Sequence, residues 1–366
     1  MSDNPRLSRG RPRAANWLNA GPLPNSRICD IIAWYGTPLD GICLRTLDVA
    51  YTRVNALAGL PGGKLASGLS NGTVRVYDAA SGACLLTLAG HTGSVTSLAV
   101  LPDGTLASGS DDQTVCVWDA VGTRRRNRTS GWLRSGPLPI PGICDIIAGY
   151  GSGEEGELLL RITGHTSSVR ALAGMPGGRL ASGSCDNTVR VWDTASGACV
   201  FRLAGHTSYV TALAVLPDGK LVSGSEDRTI RVWDINAFPR GRRLQRATCV
   251  RTLSGHRQPV SALAVLPGGR LASGSWDGTM RVWDSATGGC LLTIAGHRMM
   301  VTSLAVLPDG QLASGSADAT VIVWDSATGE RVLALAGHTG AVRELAVLPG
   351  GRLASSSTDC TMRVWK

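Results

Sequence analysis

Phenylalanine is nearly absent from this chain, and histidine is scarce. The 366 residues contain 2 Phe and 6 His but 47 Gly and 10 Trp, a composition that suits many short strands joined by tight turns. No run of 18 or more apolar residues occurs, which argues against a transmembrane helix. The N-terminus lacks the order of basic, apolar and small residues that marks a secretory signal. We therefore expect a cytoplasmic or nuclear protein.

Motifs for disulfide and phosphate chemistry are also missing. There is no Cys-x-x-Cys pair, and the segment 61–64 (PGGK) is interpreted as a hairpin turn rather than a phosphate-binding loop. Half of the 10 cysteines fall in one equivalent slot of different repeats, namely Cys43, Cys84, Cys199, Cys249 and Cys290. Because each would lie in its own structural unit, we predict reduced, buried thiols.

The chain does contain a repeat, and its histidines show it best. Every His follows a Gly, and a Trp stands 27 residues after each His. If Tyr77 is taken as a first member of the Trp series, the successive spacings are 41, 74, 41, 50, 41 and 41 residues. Removing 33 and 9 residues from the two long gaps leaves 41 throughout. We predict seven units with insertions at about 121–156 and 235–247.

Each unit is predicted to form four short strands. In the second unit three of them cover 94–101, 105–110 and 114–120, and a Pro-Asp-Gly turn joins the first two. Proline sets the turn and glycine supplies a positive φ. The fourth strand type, 83–88 in the preceding unit, leads into each Gly-His pair.

The order Gly-His, Ser-Gly-Ser-x-Asp-x-Thr and Trp-Asp, at this period, resembles the WD40 repeat family. The resemblance covers residues 41–366 and implies an all-β fold, a seven-bladed β-propeller of four-stranded antiparallel blades around a central channel. The preceding residues 1–40 are predicted to be a basic extension, partly disordered. The last unit lacks its outer strand. The segment 42–47 is predicted to be an outer strand, but no unit precedes it to which it could belong. We expect that strand to complete the last blade and close the ring.

The resemblance also implies a structural role for the repeated polar residues. In WD40 proteins the matching Trp, Ser, His and Asp form a hydrogen-bonded tetrad. The implied sets are His91, Ser108, Asp112 and Trp118; His165, Ser182, Asp186 and Trp192; His206, Ser223, Asp227 and Trp233; His256, Ser273, Asp277 and Trp283; His297, Ser314, Asp318 and Trp324; and His338, Ser355, Asp359 and Trp365.

Six copies of one constellation favour scaffolding, because a catalytic triad is needed only once. We therefore predict no catalytic residues, no enzymatic activity, no cofactor and no metal site. The first unit departs from the pattern: Val49 and Ala50 replace Gly-His, Asn71 replaces the Asp, and Tyr77 replaces the Trp. We expect its blade to lack a tetrad.

In the WD40 family the loops that carry Gly-His and the turn Asp lie on one face of the ring, called the top. The candidate partner-binding residues on these loops are Tyr209, Glu226, Arg257, Trp276, Arg298, Met299 and Met300. Aromatic residues, Met and Arg are the usual anchors of protein interfaces. We predict a non-catalytic scaffold or adaptor, a monomeric ring within a larger complex, that assembles other proteins or peptides on its top face. The alternative is that these side chains are half-buried at the rim of the ring and contact no partner.

Arginine is concentrated in the N-terminal extension and in the two insertions, which the resemblance places on the opposite, bottom face. The candidates for anion or nucleic-acid contact are Arg9, Arg11, Arg124, Arg125, Arg126, Arg240, Arg242 and Arg243. The run Arg-Gly-Arg-Pro at 9–12 is similar to the core of an AT-hook. The alternative function is therefore a nucleic-acid or chromatin-associated adaptor. Within these regions the sequence of 17–36 recurs, with changes, at 132–151. We interpret the two copies either as loops packed against the side of the ring or as a paired docking element.

Overall fold

The computed structural model describes residues 41–49, 52–120, 156–235 and 248–366. Regular structure in these ranges is almost entirely β, apart from two short 3-10 turns at Pro61–Gly63 and Pro267–Gly269. None of the helices in the described part of the chain has the length and apolar character to cross a bilayer. The N-terminal extension and nearly all of both predicted insertions lie outside the described residues, as does the recurring segment at 17–36 and 132–151.

The described strands form seven separate four-stranded antiparallel sheets, which we call blades 1 to 7. Blade 1 contains β2 (Val54–Leu60), β3 (Lys64–Leu69), β4 (Thr73–Asp78) and β5 (Cys84–Ala89); blade 2 contains β6 (Val95–Val100), β7 (Leu106–Ser110), β8 (Val115–Asp119) and β9 (Glu157–Ile162); blade 3 contains β10 (Val169–Met175), β11 (Arg179–Ser184), β12 (Thr188–Asp193) and β13 (Cys199–Ala204); blade 4 contains β14 (Val210–Val215), β15 (Leu221–Ser225), β16 (Thr229–Asp234) and β17 (Thr248–Ser254). Blade 5 contains β18 (Val260–Val265), β19 (Leu271–Ser275), β20 (Thr279–Trp283) and β21 (Cys290–Ala295); blade 6 contains β22 (Val301–Val306), β23 (Leu312–Ser316), β24 (Val321–Trp324) and β25 (Arg331–Leu335); blade 7 contains β26 (Val342–Val347), β27 (Leu353–Ser357), β28 (Thr361–Trp365) and, from the start of the described chain, β1 (Cys43–Asp48).

The two ends of the described chain meet in blade 7 and close the ring. Strand β1 pairs antiparallel with β28, placing Cys43 opposite Trp365 and Leu47 opposite Met362. The backbone N–H of Lys366 donates to the carbonyl of Ile42 at 3.1 Å. The innermost strands of neighbouring blades contact one another around the whole circle, including β2 with β26. This confirms the closure predicted from the sequence, with the strand one residue further along than expected.

Turn chemistry fixes the ends of the strands. In blade 2 the Pro-Asp-Gly turn puts Gly104 at φ 84°, a conformation that glycine adopts without steric cost. The Leu101 N–H donates to the Thr105 carbonyl at 2.8 Å across this turn. The predicted strands of the second unit therefore each run a residue or so too far, because their terminal residues belong to the turns.

The core lies between blades rather than inside each one. Trp118 of blade 2 packs in one cluster with Val74, Val76 and Leu88 of blade 1. The blades also approach closely near the channel: a side chain at Gly109 would lie 2.7 Å from Val169 Cγ1 of the next blade. Each sheet is therefore covered on both faces, which explains why apolar residues occur on both sides of these strands.

Candidate functional site

Two loops from each blade meet at one end of the ring. The N–H of Asp111, in the turn between β7 and β8, donates to the carbonyl of Ser94, just before β6, at 2.9 Å. The same bond, at 2.9–3.0 Å, recurs in the other six blades, with Ser70, Cys185, Glu226, Trp276, Ala317 and Thr358 as donors. We call this end the top face; it carries the loops that follow each Gly-His and the turns that contain each tetrad Asp.

Beneath the top face, the structure brings together all six predicted sets of four polar residues. In each set the Trp Nε1–H donates to the Ser Oγ at 2.7–2.8 Å, and the Ser Oγ lies 2.7 Å from His Nε2. The other ring nitrogen, Nδ1, lies 2.8–3.1 Å from the Asp Oδ2. The six His side chains are 0–1% exposed. A buried imidazole with both nitrogens engaged has no free position for a substrate.

The bonding pattern assigns the protons of each tetrad. A carboxylate only accepts, so His Nδ1 carries a hydrogen and donates it to the Asp; in a neutral ring Nε2 then accepts from the Ser hydroxyl. The same Asp Oδ2 also accepts a backbone N–H, for example from Thr92 to Asp112 at 2.9 Å. Each tetrad therefore ties the top-face loop to the turn and to the blade interior.

Electrostatics keep the tetrad carboxylates ionised. Burial alone would raise the pKa of Asp112, but hydrogen bonds from His91 and Thr114 hold it far below its usual range. The same balance lowers the pKa of the other five tetrad aspartates. Buried carboxylates that accept several hydrogen bonds behave in this way.

The tetrad histidines differ in their pKa shifts. Burial lowers the pKa of three of them, and hydrogen bonding to the Asp only partly offsets it: His256, His297 and His338. Burial also acts against protonation of His91, but the hydrogen bonds to Asp112 and to Cys116, whose Sγ lies 3.9 Å from Nδ1, outweigh it and raise the pKa to about 9. Blade 2 thus differs chemically from the others within the same architecture.

Blade 1 has no tetrad. Val49, in the slot of the repeated glycine, is fully buried, while Asn71 accepts from the Thr73 hydroxyl at 2.8 Å and so still shapes the turn. The hydroxyls of Ser67 and Tyr77 are buried and make no hydrogen bond within the described part of the chain. Burial raises the pKa of Tyr77. Apolar packing therefore replaces the polar network in this blade.

Most of the candidate partner-binding residues are exposed on the top face. Tyr209 is 46% exposed, Trp276 44%, Met299 51% and Met300 36%. Arg257 and Arg298 are exposed as well, whereas Glu226 is half-buried. The candidates come from blades 4, 5 and 6, so they form one side of the top face rather than a complete ring.

The sequence prediction missed a cavity at the top of the central channel. It has a volume of about 360 Å³, and its lining includes Arg170, Arg343 and Glu344 from the innermost strands, together with Trp276. Glu344 Oε1 accepts from the Ser303 hydroxyl at 2.8 Å, and burial raises the pKa of this carboxyl to about 7. The available signal was the alignment of units, in which these charged residues stand where other units have small or hydroxyl residues.

The prediction of buried thiols in the repeated cysteine slot was wrong. Cys84 and Cys290 are exposed, and Cys43, Cys199 and Cys249 are half-buried. The slot lies on the outermost strand of each blade, which no further strand covers. All eight cysteines in the described ranges are free thiols, and Cys116 is the buried one among them.

The candidate anion-binding arginines, from Arg9 to Arg243, lie outside the described residues. Within residues 41–49, 52–120, 156–235 and 248–366, no group of three or more His, Cys, Asp or Glu side chains is arranged to hold a metal ion.

Seven sheets in a closed ring, with the polar network repeated beneath one face, define a seven-bladed β-propeller. Comparison with known proteins then identifies the family. The sequence model of the WD domain, G-beta repeat (WD40) matches seven times, at 41–78, 82–119, 156–193, 197–234, 247–284, 288–325 and 329–366, and the chain belongs to this family.

Among solved structures, the chain is similar to one described as the crystal structure of the WD40 β-propeller domain of Doa1. The TM-score is 0.71 at 23% identity, covering 90% of this chain and 97% of that one. No curated protein matches the chain in sequence. Propellers of the WD40 family are commonly protein-interaction scaffolds and are typically non-catalytic.

Proposed function

We propose that this protein is a non-catalytic scaffold or adaptor that binds partner proteins or peptides on its top face. The observation that carries the proposal is the exposure of Tyr209, Trp276 and Met299 on one side of that face. Exposed aromatic and Met side chains are enriched at binding hot spots. We further propose that Glu226, Arg257, Arg298 and Met300 contribute to the same surface.

The anchors stand on backbone that is already ordered. The Glu226 N–H donates to the Tyr209 carbonyl at 2.9 Å, and the Trp276 N–H donates to the Pro259 carbonyl at 3.0 Å. The tetrad Asp227 and Asp277 hold the neighbouring loop residues through further backbone bonds. A preorganised surface loses little conformational entropy when a partner binds.

A non-catalytic role is supported by the state of the repeated His, Ser and Asp. Their buried atoms bond to one another six times over, with nearly equal distances. If one of these serines were a catalytic nucleophile, its tetrad would have to be more accessible to a substrate than the other five. We also propose a cytoplasmic or nuclear location, in keeping with the free thiols.

Affinity capture with the full-length tagged protein tests the proposal. The double variant Tyr209→Ala and Trp276→Ala should lose specific partners, measured by quantitative mass spectrometry against wild type. The matched control is Val250→Ala with Leu291→Ala, because these side chains are 47% and 57% exposed but lie on outer strands. An unchanged set of captured proteins, or equal losses in the control, would contradict the proposed surface.

The nucleic-acid alternative rests on arginines outside the described residues, and no structural observation favours it. It predicts salt-sensitive retention on DNA or heparin that disappears when the arginines at 9, 11, 124, 125 and 126 are replaced by Gln. Retention that does not change in that variant would reject it.

A further inference from the structure

Two slots of the repeat vary together. In blades 1, 3, 4, 5 and 7 an Arg stands two positions before the Trp (Tyr77 in blade 1), and a Cys on the outermost strand lies opposite that aromatic residue. Blades 2 and 6 have neither, because Cys116 and Ile322 hold the arginine slot. The arginine and the outer-strand thiol therefore occur together or not at all. The pairs are Arg75 with Cys84, Arg190 with Cys199, Arg231 with Cys249, Arg281 with Cys290 and Arg363 with Cys43.

In blade 5 the two side chains of the pair are in contact. The Nη1–H of Arg281 donates to Cys290 Sγ at 3.5 Å, and Cys290 is exposed. In blade 7 the Nη1 of Arg363 lies 3.8 Å from Cys43 Sγ, but Cys43 is half-buried. Among the residues that the structure describes, Cys290 therefore combines exposure with a guanidinium contact.

The guanidinium of Arg281 has hydrogen-bond donors left over. Its Nε–H is buried and has no partner in the described ranges, and the sulfur that accepts from Nη1 is a weak acceptor. Within the same ranges Arg281 forms no ion pair with a carboxylate, and its Cζ lies 6.0 Å from the centroid of the Trp283 ring. A cation without an acidic partner, held beside a nucleophilic atom, favours an anionic reagent.

Blade 1 presents an equivalent thiol without this contact. Cys84 is exposed, and its Sγ lies 4.0 Å from Thr87 Oγ1. The corresponding distance in blade 5, from Cys290 Sγ to Thr293 Oγ1, is 3.8 Å. No hydrogen bond joins Arg75 to Cys84 in the described part of the chain. The two thiols thus share strand position, exposure and hydroxyl neighbour, and differ in the guanidinium.

We propose that Cys290 and Arg281 form a modification site at which an anionic low-molecular-weight disulfide reacts with the thiol. Cys290 Sγ gives its proton to water and attacks one sulfur of the reagent, so that a mixed disulfide forms and the reagent's S–S bond breaks. The cysteine sulfur is oxidised, and the second reagent sulfur is reduced, leaves as a thiolate and takes up a proton. Arg281 binds a carboxylate of the reagent and faces the attacking sulfur.

The position of Cys290 leaves room for the adduct. It lies on β21, the outermost strand of blade 5, and the next side chain, Leu291, is 57% exposed. The other thiols lack one of the two requirements. Burial raises the pKa of Cys199, and the neighbouring Arg190 only partly offsets this. Cys116 is fully buried. Exposure and a contacting guanidinium together therefore select Cys290.

The test compares two disulfides on the folded full-length protein at neutral pH: oxidised glutathione, which is anionic, and cystamine, which is cationic. Peptide mapping by mass spectrometry under non-reducing conditions gives the rates at Cys290 and Cys84 in one sample. The informative variant is Arg281→Ile, because blade 6 carries Ile322 in this slot beside an intact tetrad. Its matched control is Arg75→Ile, which removes the same charge from the equivalent slot of blade 1.

We expect oxidised glutathione to modify Cys290 about tenfold faster than Cys84, the usual effect of one charge-assisted contact, and cystamine to show no such preference. Arg281→Ile should abolish the preference, and Arg75→Ile should leave it intact. In wild type the preference should also shrink in about 1 M salt, where exposed charges are screened within about 3 Å, a measurement that needs no variant. Equal rates at the two thiols with oxidised glutathione, the same preference with cystamine, or an unchanged preference in Arg281→Ile would overturn the proposal.

Discussion

Replacing the tetrad serine with alanine in one blade at a time tests the structural role of the polar network. Ser273 of blade 5 is the variant of choice, since its hydroxyl is fully buried and bonds to both Trp283 and His256. Ser67 of blade 1 is the matched control, because it holds the same slot and is equally buried but makes no hydrogen bond within the described part of the chain.

The two substitutions should change the free energy of unfolding differently: Ser273→Ala should lower it, and Ser67→Ala should leave it unchanged or raise it slightly. In Ser273→Ala the Trp283 Nε1–H and the His256 Nε2 both lose their partner while remaining buried. Each buried polar group left without a partner costs about 1–3 kcal/mol, so the free energy of unfolding should fall by about 2–6 kcal/mol. Ser67→Ala instead removes a hydroxyl that is already without a partner, and its effect should lie between zero and about 1 kcal/mol of stabilisation.

Thermal unfolding followed by circular dichroism resolves this difference. At about 2 °C per kcal/mol for a domain of this size, Ser273→Ala should melt roughly 4–12 °C below wild type, and Ser67→Ala at or above it. Equal losses in both variants would show that the hydroxyl contributes by packing alone. No loss in Ser273→Ala would refute the reasoning that the tetrads stabilise the blades.

The remaining predictions concern pH, the channel and the thiols. The free energy of unfolding should fall as the pH drops below about 6.5, because the three histidines of lowered pKa take up protons more readily in the unfolded chain than in the folded protein. It should fall again below about pH 4, because the tetrad carboxylates also take up protons more readily once the chain is unfolded. Each group contributes up to about 1.4 kcal/mol per pH unit. Glu344, whose pKa is raised to about 7, opposes this trend below about pH 6.5, and His91, whose pKa is raised to about 9, adds stability mainly between about pH 9 and 6.5; a urea midpoint that rises between about pH 6 and 5 contradicts the assignment. Arg343→Thr should raise the melting temperature by a few degrees, because it supplies a hydroxyl donor to the Val54 carbonyl, as the threonines at the equivalent position of blades 2, 4 and 6 do for the blades that follow them; a lower melting temperature would contradict this. Cys290 should react with a maleimide in the folded protein and Cys116 only after unfolding, as peptide mapping will show.

The ring and the tetrads could be predicted from the sequence because the spacing of the repeated motifs carries the resemblance to the WD40 family, and that resemblance implies both. A unit that repeats every 41 residues places each His, Ser, Asp and Trp at equivalent points of equivalent strands. The completion of blade 7 by β1 followed from the same count, since the last unit is one strand short. Neither inference needed knowledge of how side chains pack between blades.

The cysteine slot and the channel could not be predicted in this way. The repeat places Cys290 at the start of a fourth strand, but it does not show that the thiol, on an outermost strand and opposite Trp283, is exposed. Likewise, alignment of the units shows Arg170 and Arg343 in one slot, but not that Asp111 Oδ1 of the neighbouring blade lies 3.8 Å from Arg170 Nη2. Partners across blades depend on tertiary contacts that the repeat does not specify.

The departures from the repeat meet at the junction of blades 7 and 1. Blade 1 lacks a tetrad, blade 7 is completed by β1, and Arg343 leaves the link to the next blade without a hydroxyl. Apolar packing holds this junction instead: Val49 and Tyr77 share one cluster with Met362 and Val364 of blade 7. A hydrophobic contact tolerates small shifts that a buried hydrogen-bond network does not. The junction where the chain closes the ring is therefore held by apolar packing where the other blades have a tetrad.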